Sequence, residues 1–279
     1  MARLWRRARR DRLSFLALCM IAVITLLAIL APWVAPYDPD ETDATAALAT
    51  VSRSHWLGTD LYGRDQLSRI VLAARVDLLV ALVATAIALI AGSLLGALAG
   101  YRGGWVDQLA MRAIDSVMAF PAFILAMAIT ATLGNSTAYV VAAIALTHVP
   151  IYARLIRGEM LKIRETEYAE AARTVGNPVH RIVLRHLLPN CIPPLIVQAT
   201  LAMGFAILTV AALSFLGLGI QPPQSEWGAM TAEGAGYIVS GEWWLFLFPG
   251  LAIMLTVLAF NLVGDTLRDL LDPRMRGVR

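Results

Sequence analysis

The chain has 279 residues and a formal net charge of +3; 58% of it is hydrophobic and 15% charged, with a mean hydropathy of +0.67. A soluble domain is nearer half apolar and a quarter charged, so the excess points to the lipid bilayer and away from nucleic-acid binding. Two cysteines, Cys19 and Cys191, lie far apart in or beside apolar runs; they supply neither a disulfide framework nor a paired metal-ligand spacing and read as small buried apolar residues.

The first charge-free run, 14–34, follows a basic start at 3–12. That plan is shared with signal peptides, but the run is longer than their usual apolar region of about 7–15 residues, and a retained anchor is expected. A loop over 36–77 follows. It opens on Ala35-Pro36-Tyr37-Asp38-Pro39, whose prolines stop the helix, and passes through His55-Trp56-Leu57-Gly58-Thr59-Asp60 and Gly63-Arg64-Asp65. Its Gly and Asp residues suit turns, and His55 reads as a hydrogen-bonding turn residue rather than a metal ligand. The second span, 78–100, carries Ala84, Ala88, Gly92, Gly96 and Gly100. Spacing by four sets these near one helix face, where small residues let helix backbones approach closely. Packing within the chain is favoured over a subunit interface.

Tyr101-Arg102-Gly103-Gly104-Trp105 turns the chain, with Trp105 suited to the headgroup level. The run 116–153 is too long for one span, and Gly134-Asn135-Ser136 divides it; Phe120-Pro121 is expected to kink the third helix. His148, in the fourth span, invites a proton relay, but the sequence offers no acid within the apolar parts of the spans to partner it. Spans near 195–216 and over 243–264 complete six helices, each long enough to cross a core of about 30 Å. With an even count, the N-terminus, 101–115, 154–190 and the tail share one side and carry 19 Lys and Arg, against 4 on 35–77 and 217–242. The side richer in Lys and Arg is cytoplasmic.

Between 154 and 190 the chain changes character. Arg157, Glu159, Lys162, Arg164, Glu165, Glu167, Glu170, Arg173, Arg181 and Arg185 cannot sit in hydrocarbon, yet the stretch reads as helical. Thr166 suits an N-cap and Gly176 the position just past a helix end; Asn177 suits the cap of a second helix opening at Pro178. Ala169, Ala171 and Ala172 would let a partner approach the backbone, Glu170 offers a carboxylate, and Val175, Leu184 and Leu187 offer apolar contact. An amphipathic hairpin resting on anionic headgroups has the same composition.

The run Glu170-Ala171-Ala172-Arg173-Thr174-Val175-Gly176, followed by His186-Leu187-Leu188-Pro189, resembles the EAA loop of ABC-importer permeases. His186 stands where the general pattern has Ile, a feature of the peptide-importer branch. The Ala-Pro-Tyr-Asp-Pro start, Leu-Gly-Thr-Asp…Gly-Arg-Asp, Ser214-Phe215-Leu216-Gly217-Leu218-Gly219, Trp227-Gly228 and Asn261…Gly264-Asp265…Arg268-Asp269…Asp272-Pro273-Arg274 are similar to the second permease subunit of dipeptide, oligopeptide and nickel importers. The resemblance implies an all-α membrane protein of six transmembrane helices with the type I ABC-importer permease fold. Its expected parts are a basic cytoplasmic start (1–13), a first helix (14–35), an extracytoplasmic loop (36–77), a five-helix core (78–265) holding the coupling loop (154–190), and a cytoplasmic tail (266–279). It implies a bacterial cytoplasmic membrane, a homologous second permease as heterodimer partner, two ABC ATPases that carry ATP and magnesium, an extracytoplasmic binding protein and a peptide cargo. The ATPase-docking residues it implies are Glu170, Ala171, Ala172, Arg173, Val175, Gly176, Leu188 and Pro189. This chain itself needs no cofactor and is no enzyme. Its one lysine, Lys162, is not in a phosphate-binding Gly-rich loop. An ion-coupled secondary transporter or channel is the alternative class, for which acids at the membrane midplane would be the mark.

Overall fold

The apolar runs form helices. A computed structural model of the protein describes residues 12–271, and among these the only β-pairing is an isolated bridge between Thr59 and Asp65. The basic start before residue 12 and the Asp272-Pro273-Arg274 motif lie outside the described residues. In chain order the helices are α1 (Arg12–Val34), α2 (Gln66–Arg102), α3 (Gly104–Met118), α4 (Ala122–Leu133), α5 (Thr137–Ile163), α6 (Glu167–Thr174), the single turn α7 (Val179–Arg181), α8 (Ile192–Phe215), α9 (Trp227–Ala235) and α10 (Trp244–Leu271). Five stretches are long and apolar enough to cross a membrane: α1, α2, α5, the run Val179–Phe215 that ends in α8, and α10. The pair α3 and α4, bent by 82° between them, meets the same criterion together and makes the count six where it is taken as one broken span. The architecture is a polytopic helical bundle.

Two boundaries differ from the sequence expectation. Helix α2 starts at Gln66, not at Leu78, and its 37 residues span about 55 Å at ~1.5 Å per residue, well beyond a hydrocarbon core of ~30 Å. Asp65 starts it, its Oδ2 accepting from the backbone N–H and the hydroxyl of Ser68, both at 2.8 Å. The expected kink at Phe120-Pro121 is a full break: Pro121 has extended backbone (φ −56°, ψ 125°) and stands ahead of α4. Proline lacks the N–H that would continue α3 and disfavours helical backbone before it. Cys191 is buried as expected, but Cys19 is exposed on α1, a correction to its reading as a buried residue. It lines an open apolar groove between α1, α2 and α10, while α1 packs on the bundle through Ala17, Ala28 and Ala31.

Two apolar cores stack along α2. One, toward its Gln66 end, joins Ala81, Ala84, Ile144, Ile207, Val210, Leu213, Trp227 and Met230. The other, toward Arg102, joins Ala88, Ala97, Tyr152, Ile156 and Met160 to Ala169, Ile182 and Leu187, and to Cys191 just past the charged insert. The buried hydroxyl of Thr266 in α10 donates to that of Ser14 in α1 at 2.9 Å, so the described ends of the chain meet at one end of the bundle.

Candidate coupling site

The first ten residues of the insert 154–190 continue α5, and the rest is a short helix, a glycine corner and an irregular return. Helix α6 begins after Thr166, whose hydroxyl does not cap it; it turns back to the carbonyl of Ile163 at 2.6 Å. The helix ends in a Schellman arrangement. The N–H of Gly176 donates to the Arg173 carbonyl (2.8 Å) and that of Asn177 to the Ala172 carbonyl (3.3 Å). Gly176 has φ +82°, the left-handed conformation that costs a side-chain-bearing residue most and glycine little. Asn177 does not cap the next helix as expected: its Nδ2 reaches back to the same Ala172 carbonyl at 3.2 Å. Beyond Pro178 comes no regular second helix but α7, a wide π turn over Ile182–Leu187 and a 3-10 turn over Leu188–Cys191.

The side chains divide into two sets. Glu170, Ala171, Val175 and Gly176 are exposed, Val175 at 81%. Ala169, Ile182 and Leu187 are buried in the bundle, so Ala169 and Leu187, expected on the docking surface, face inward. Helical geometry explains the split, since Ala169 lies between Glu167 and Ala171 on the opposite face of α6. Ala172 and Leu188 are half-buried, and Pro189 is exposed at the start of the 3-10 turn. Arg173 is tied within the chain: its Nη2 donates to the Arg164 carbonyl at 2.7 Å, and its guanidinium stands 5.6 Å from the centre of the Tyr101 ring. The sequence places Tyr101 in a turn and Arg164 among the charges of the insert, and signals for neither a role at this site. Arg164 also donates from Nη1 to the Gly100 carbonyl at 3.0 Å, so the Arg102 end of α2 is joined to both ends of α6.

The small-residue stripe carries that connection into the bundle. Ala84 and Ala88 are fully buried, and Gly92, Gly96 and Gly100 lie against α5 of the same chain. A Cβ on Gly92 would come within 2.6 Å of the Val149 carbonyl, one on Gly100 within 2.6 Å of the Met160 Cβ, and one on Gly96 would strike the Ala153 carbonyl. Two ion pairs add α3 to the unit: Arg157 with Asp107 and Arg154 with Asp115, each with a contact of 2.5 Å.

The acids and histidines differ partly from expectation. His55 Nδ1 meets Asp65 Oδ1 at 3.0 Å in the turn before α2. His148 is buried with Nδ1 2.9 Å from the Ile144 carbonyl of its own helix, so its partner is backbone and not an acid. Asp77, read as loop, is a buried residue of α2 whose Oδ2 accepts from the Trp227 N–H at 3.2 Å. Nearby, buried Glu226 caps α9, accepting from the N–H groups of Gly228 and Ala229 at 2.8 and 2.7 Å. Helix α2 thus carries a buried acid one residue ahead of its apolar run 78–100, and that run itself holds none. Hydropathy shows where lipid begins, not where a helix does. Among the described residues no three His, Cys, Asp or Glu side chains are placed to hold a metal ion.

Residues 92–277 match the family described as "Binding-protein-dependent transport system inner membrane component", and residues 1–50 match "N-terminal TM domain of oligopeptide transport permease C". The chain is 46% identical over 245 residues to the "Probable D,D-dipeptide transport system permease protein" of Escherichia coli, covering 88% of this chain and 82% of that one. It is 49% identical over 236 residues to the dipeptide transport system permease of Alkalihalophilus pseudofirmus, covering 85% and 77%. It is 41% identical over 273 residues to the glutathione transport system permease of Pectobacterium atrosepticum, covering 98% and 90%.

Proposed function

Because the chain belongs to the family of binding-protein-dependent transport system inner membrane components, we propose that it is one of two paired permeases of an ATP-driven importer of dipeptides or short oligopeptides. The permease is not itself an enzyme. ATP and magnesium act in two separate ATPases, and an extracytoplasmic binding protein delivers the cargo. The observation that carries the coupling role is the exposed Glu170–Gly176 surface set on a helix whose other face is rooted in the bundle core. A hairpin resting loosely on headgroups would not need Ala169, Ile182 and Leu187 buried among transmembrane side chains. In this reading Glu170, Ala171, Ala172, Val175 and Gly176 meet an ATPase, with Leu188 and Pro189 at the edge of the contact, while Arg173 holds α6 to α2. Closure of the ATPases moves α6, and the bundle alternates between inward-facing and outward-facing states.

Peptides are favoured as cargo because the two relatives of higher identity are named for dipeptides; glutathione, nickel complexes and opines are the cargoes of the same family that stand behind them. Reconstitution decides the class. In liposomes this chain alone should accumulate no peptide under a proton or sodium gradient, whereas addition of the second permease, the ATPases, the binding protein and ATP should give directional uptake. Gradient-driven accumulation by the single chain without ATP would establish a secondary transporter instead.

The proposed orientation places the described ends of the chain and the insert in the cytoplasm, on the strength of the basic-residue split. Single cysteines at Thr45 and Val175, both exposed, in a Cys19→Ser, Cys191→Ala background should react from opposite sides. An impermeant thiol reagent added to intact cells should label the first and spare the second; labelling of both would reject this topology.

A further inference from the structure

Two buried carboxyl groups meet where α9 docks on α2, at the boundary of the apolar run 78–100 and away from its middle. Asp77 is 1% exposed and Glu226 is fully buried, and their carboxyl groups lie within hydrogen-bonding reach of one another. The hydrogen bonds around them are unequal. Glu226 accepts the N–H groups of Gly228 and Ala229, one on each oxygen, at 2.8 and 2.7 Å, and faces the Ser214 hydroxyl of α8. Asp77 accepts one N–H, that of Trp227, on Oδ2 at 3.2 Å; its Oδ1 is buried and finds no donor.

No cation balances the pair among the described residues. On α2, Arg69 is taken up by Asp60 and Glu233 and reaches only the neighbouring Ser225, at 3.4 Å, while Arg75 is exposed. Helix α9 adds only Glu233, which is turned to Arg69. Helix α8 has no ionisable side chain, and α10 has none before Asp265. Two carboxylates side by side in a buried site cannot both ionise, and such a pair holds one proton between them. Burial raises the Glu226 carboxyl above the ordinary glutamate range, against the lowering by the Gly228 and Ala229 N–H groups. The donors decide where the proton sits. Glu226 has those that a carboxylate needs, so it is the ionised member. Asp77 Oδ1 has none, and a proton there turns an unsatisfied acceptor into a donor for Glu226.

We propose that Asp77 and Glu226 form a one-proton site, with Asp77 Oδ1 donating to Glu226, and that this proton latches the start of α9 to α2 until the outer medium turns alkaline. Loss of the proton leaves two adjacent buried charges, and relief requires the start of α9 to withdraw from α2. It cannot shift sideways, because Gly228 lies directly against the Ala211 backbone of α8. The unfolded chain releases both protons once pH exceeds the ordinary carboxylate values of 3.8 and 4.5, whereas the folded chain keeps one. Stability is therefore lost as pH rises through the folded pair's own titration. A place at the edge of the apolar run makes the site a latch and not a relay across the membrane. It rests on the importer reading only for the side of the membrane whose pH it senses.

Infrared spectroscopy of the full chain in nanodiscs reads the proton directly. At neutral pH the carbonyl stretch of an un-ionised carboxylic acid is expected. It should move on carbon-13 labelling of aspartate, stay on labelling of glutamate, and vanish at alkaline pH. Absence of that band, or a response to glutamate labelling alone, would overturn the assignment. Asp77→Asn supplies a permanent donor of the same shape, with Oδ1 for the Trp227 N–H and Nδ2 for Glu226. It should abolish the band and flatten the fall in melting temperature that the unaltered chain shows between about pH 5 and about pH 9. In the reconstituted importer, raising the external pH over that range should cut uptake by the unaltered assembly about threefold more than uptake by Asp77→Asn. Parallel melting or uptake profiles in the two proteins would overturn the latch. If Asp77→Asn fails to fold, the labelled spectra of the unaltered chain still decide. A band that titrates as described in an assembly that imports no peptide would support the proton site and overturn the importer reading.

Discussion

Replacing Gly176 with valine is expected to abolish ATP-coupled uptake by the reconstituted importer while the permease still inserts and keeps its thermal stability. The position has φ +82°, which a β-branched residue scarcely adopts. No atom lies within 4 Å of a Cβ built there, so the penalty is purely one of backbone, about 1–2 kcal/mol. That strain acts where the N–H groups of Gly176 and Asn177 close α6, and it re-aims the exposed surface that carries Glu170 and Val175. The bundle is spared because the inner face of α6 is fixed by Ala169 and the return segment by Ile182 and Leu187. Gly176→Asn should keep much of the activity, as asparagine tolerates this conformation best among the other residues. Glu170→Arg, which leaves the corner intact and inverts the exposed charge, should cost at least tenfold in uptake. Parallel assays of peptide uptake, ATP hydrolysis and melting temperature check the set. Undiminished coupling in both Gly176→Val and Glu170→Arg would reject docking here and return the insert to the membrane surface.

Gly96→Leu is expected to have the other large effect, loss of the folded permease. Its added Cβ would strike the Ala153 carbonyl, and the carbonyls of Val149 and Arg157 lie at 2.6 and 2.9 Å from the equivalent atoms on Gly92 and Gly100. These obstacles are backbone atoms with no rotamer to change, so relief requires α2 and α5 to separate along much of their length. Overpacking of a close-packed interior typically costs about 1–3 kcal/mol, and the upper end or beyond is expected here. Size-exclusion profiles and melting temperature of the detergent-solubilised protein give the measurement. Gly158→Ala is the control: it sits in α5 with no atom within 4 Å of an added Cβ, and removal of a helical glycine should be neutral or stabilising by about 0.5–1 kcal/mol. A stable, monodisperse Gly96→Leu protein would show that the contact yields where the geometry says it cannot.

Where hydrophobicity alone decides, the sequence was legible: the apolar runs are the spans, and Gly134 and Gly176 end helices. Where polar groups satisfy one another at a distance, it was not. Arg69 and Asp77 made the stretch ahead of Leu78 read as loop. In the folded chain Arg69 is neutralised by Asp60 and Glu233, and Asp77 accepts from the Trp227 N–H, 150 positions away. The helix start at Asp65, capped through Ser68, was read only as a turn. At Pro121 the sequence marked the place but not the 82° angle, which depends on what packs around it. Arg173 illustrates the limit at the coupling site. The resemblance placed it among the docking residues, and only the fold brings Tyr101 and the Arg164 carbonyl to it.

Two backbones in direct contact cannot slide past one another. Ordinary helix pairs are separated by side chains that change rotamer, and small sliding motions of packed helices arise from that freedom. Along Gly92, Gly96 and Gly100 nothing lies between α2 and α5 to yield. The two helices form a single stiff beam, and any push on α6 is delivered to it at one end through Arg164 and Arg173. Bending is then left to the irregular joints, of which the 82° break between α3 and α4 is the sharpest described. On the proposed importer reading the cycle is expected to hinge about Phe120-Pro121, and a disulfide bridging the break should arrest it in whichever state the bond captures.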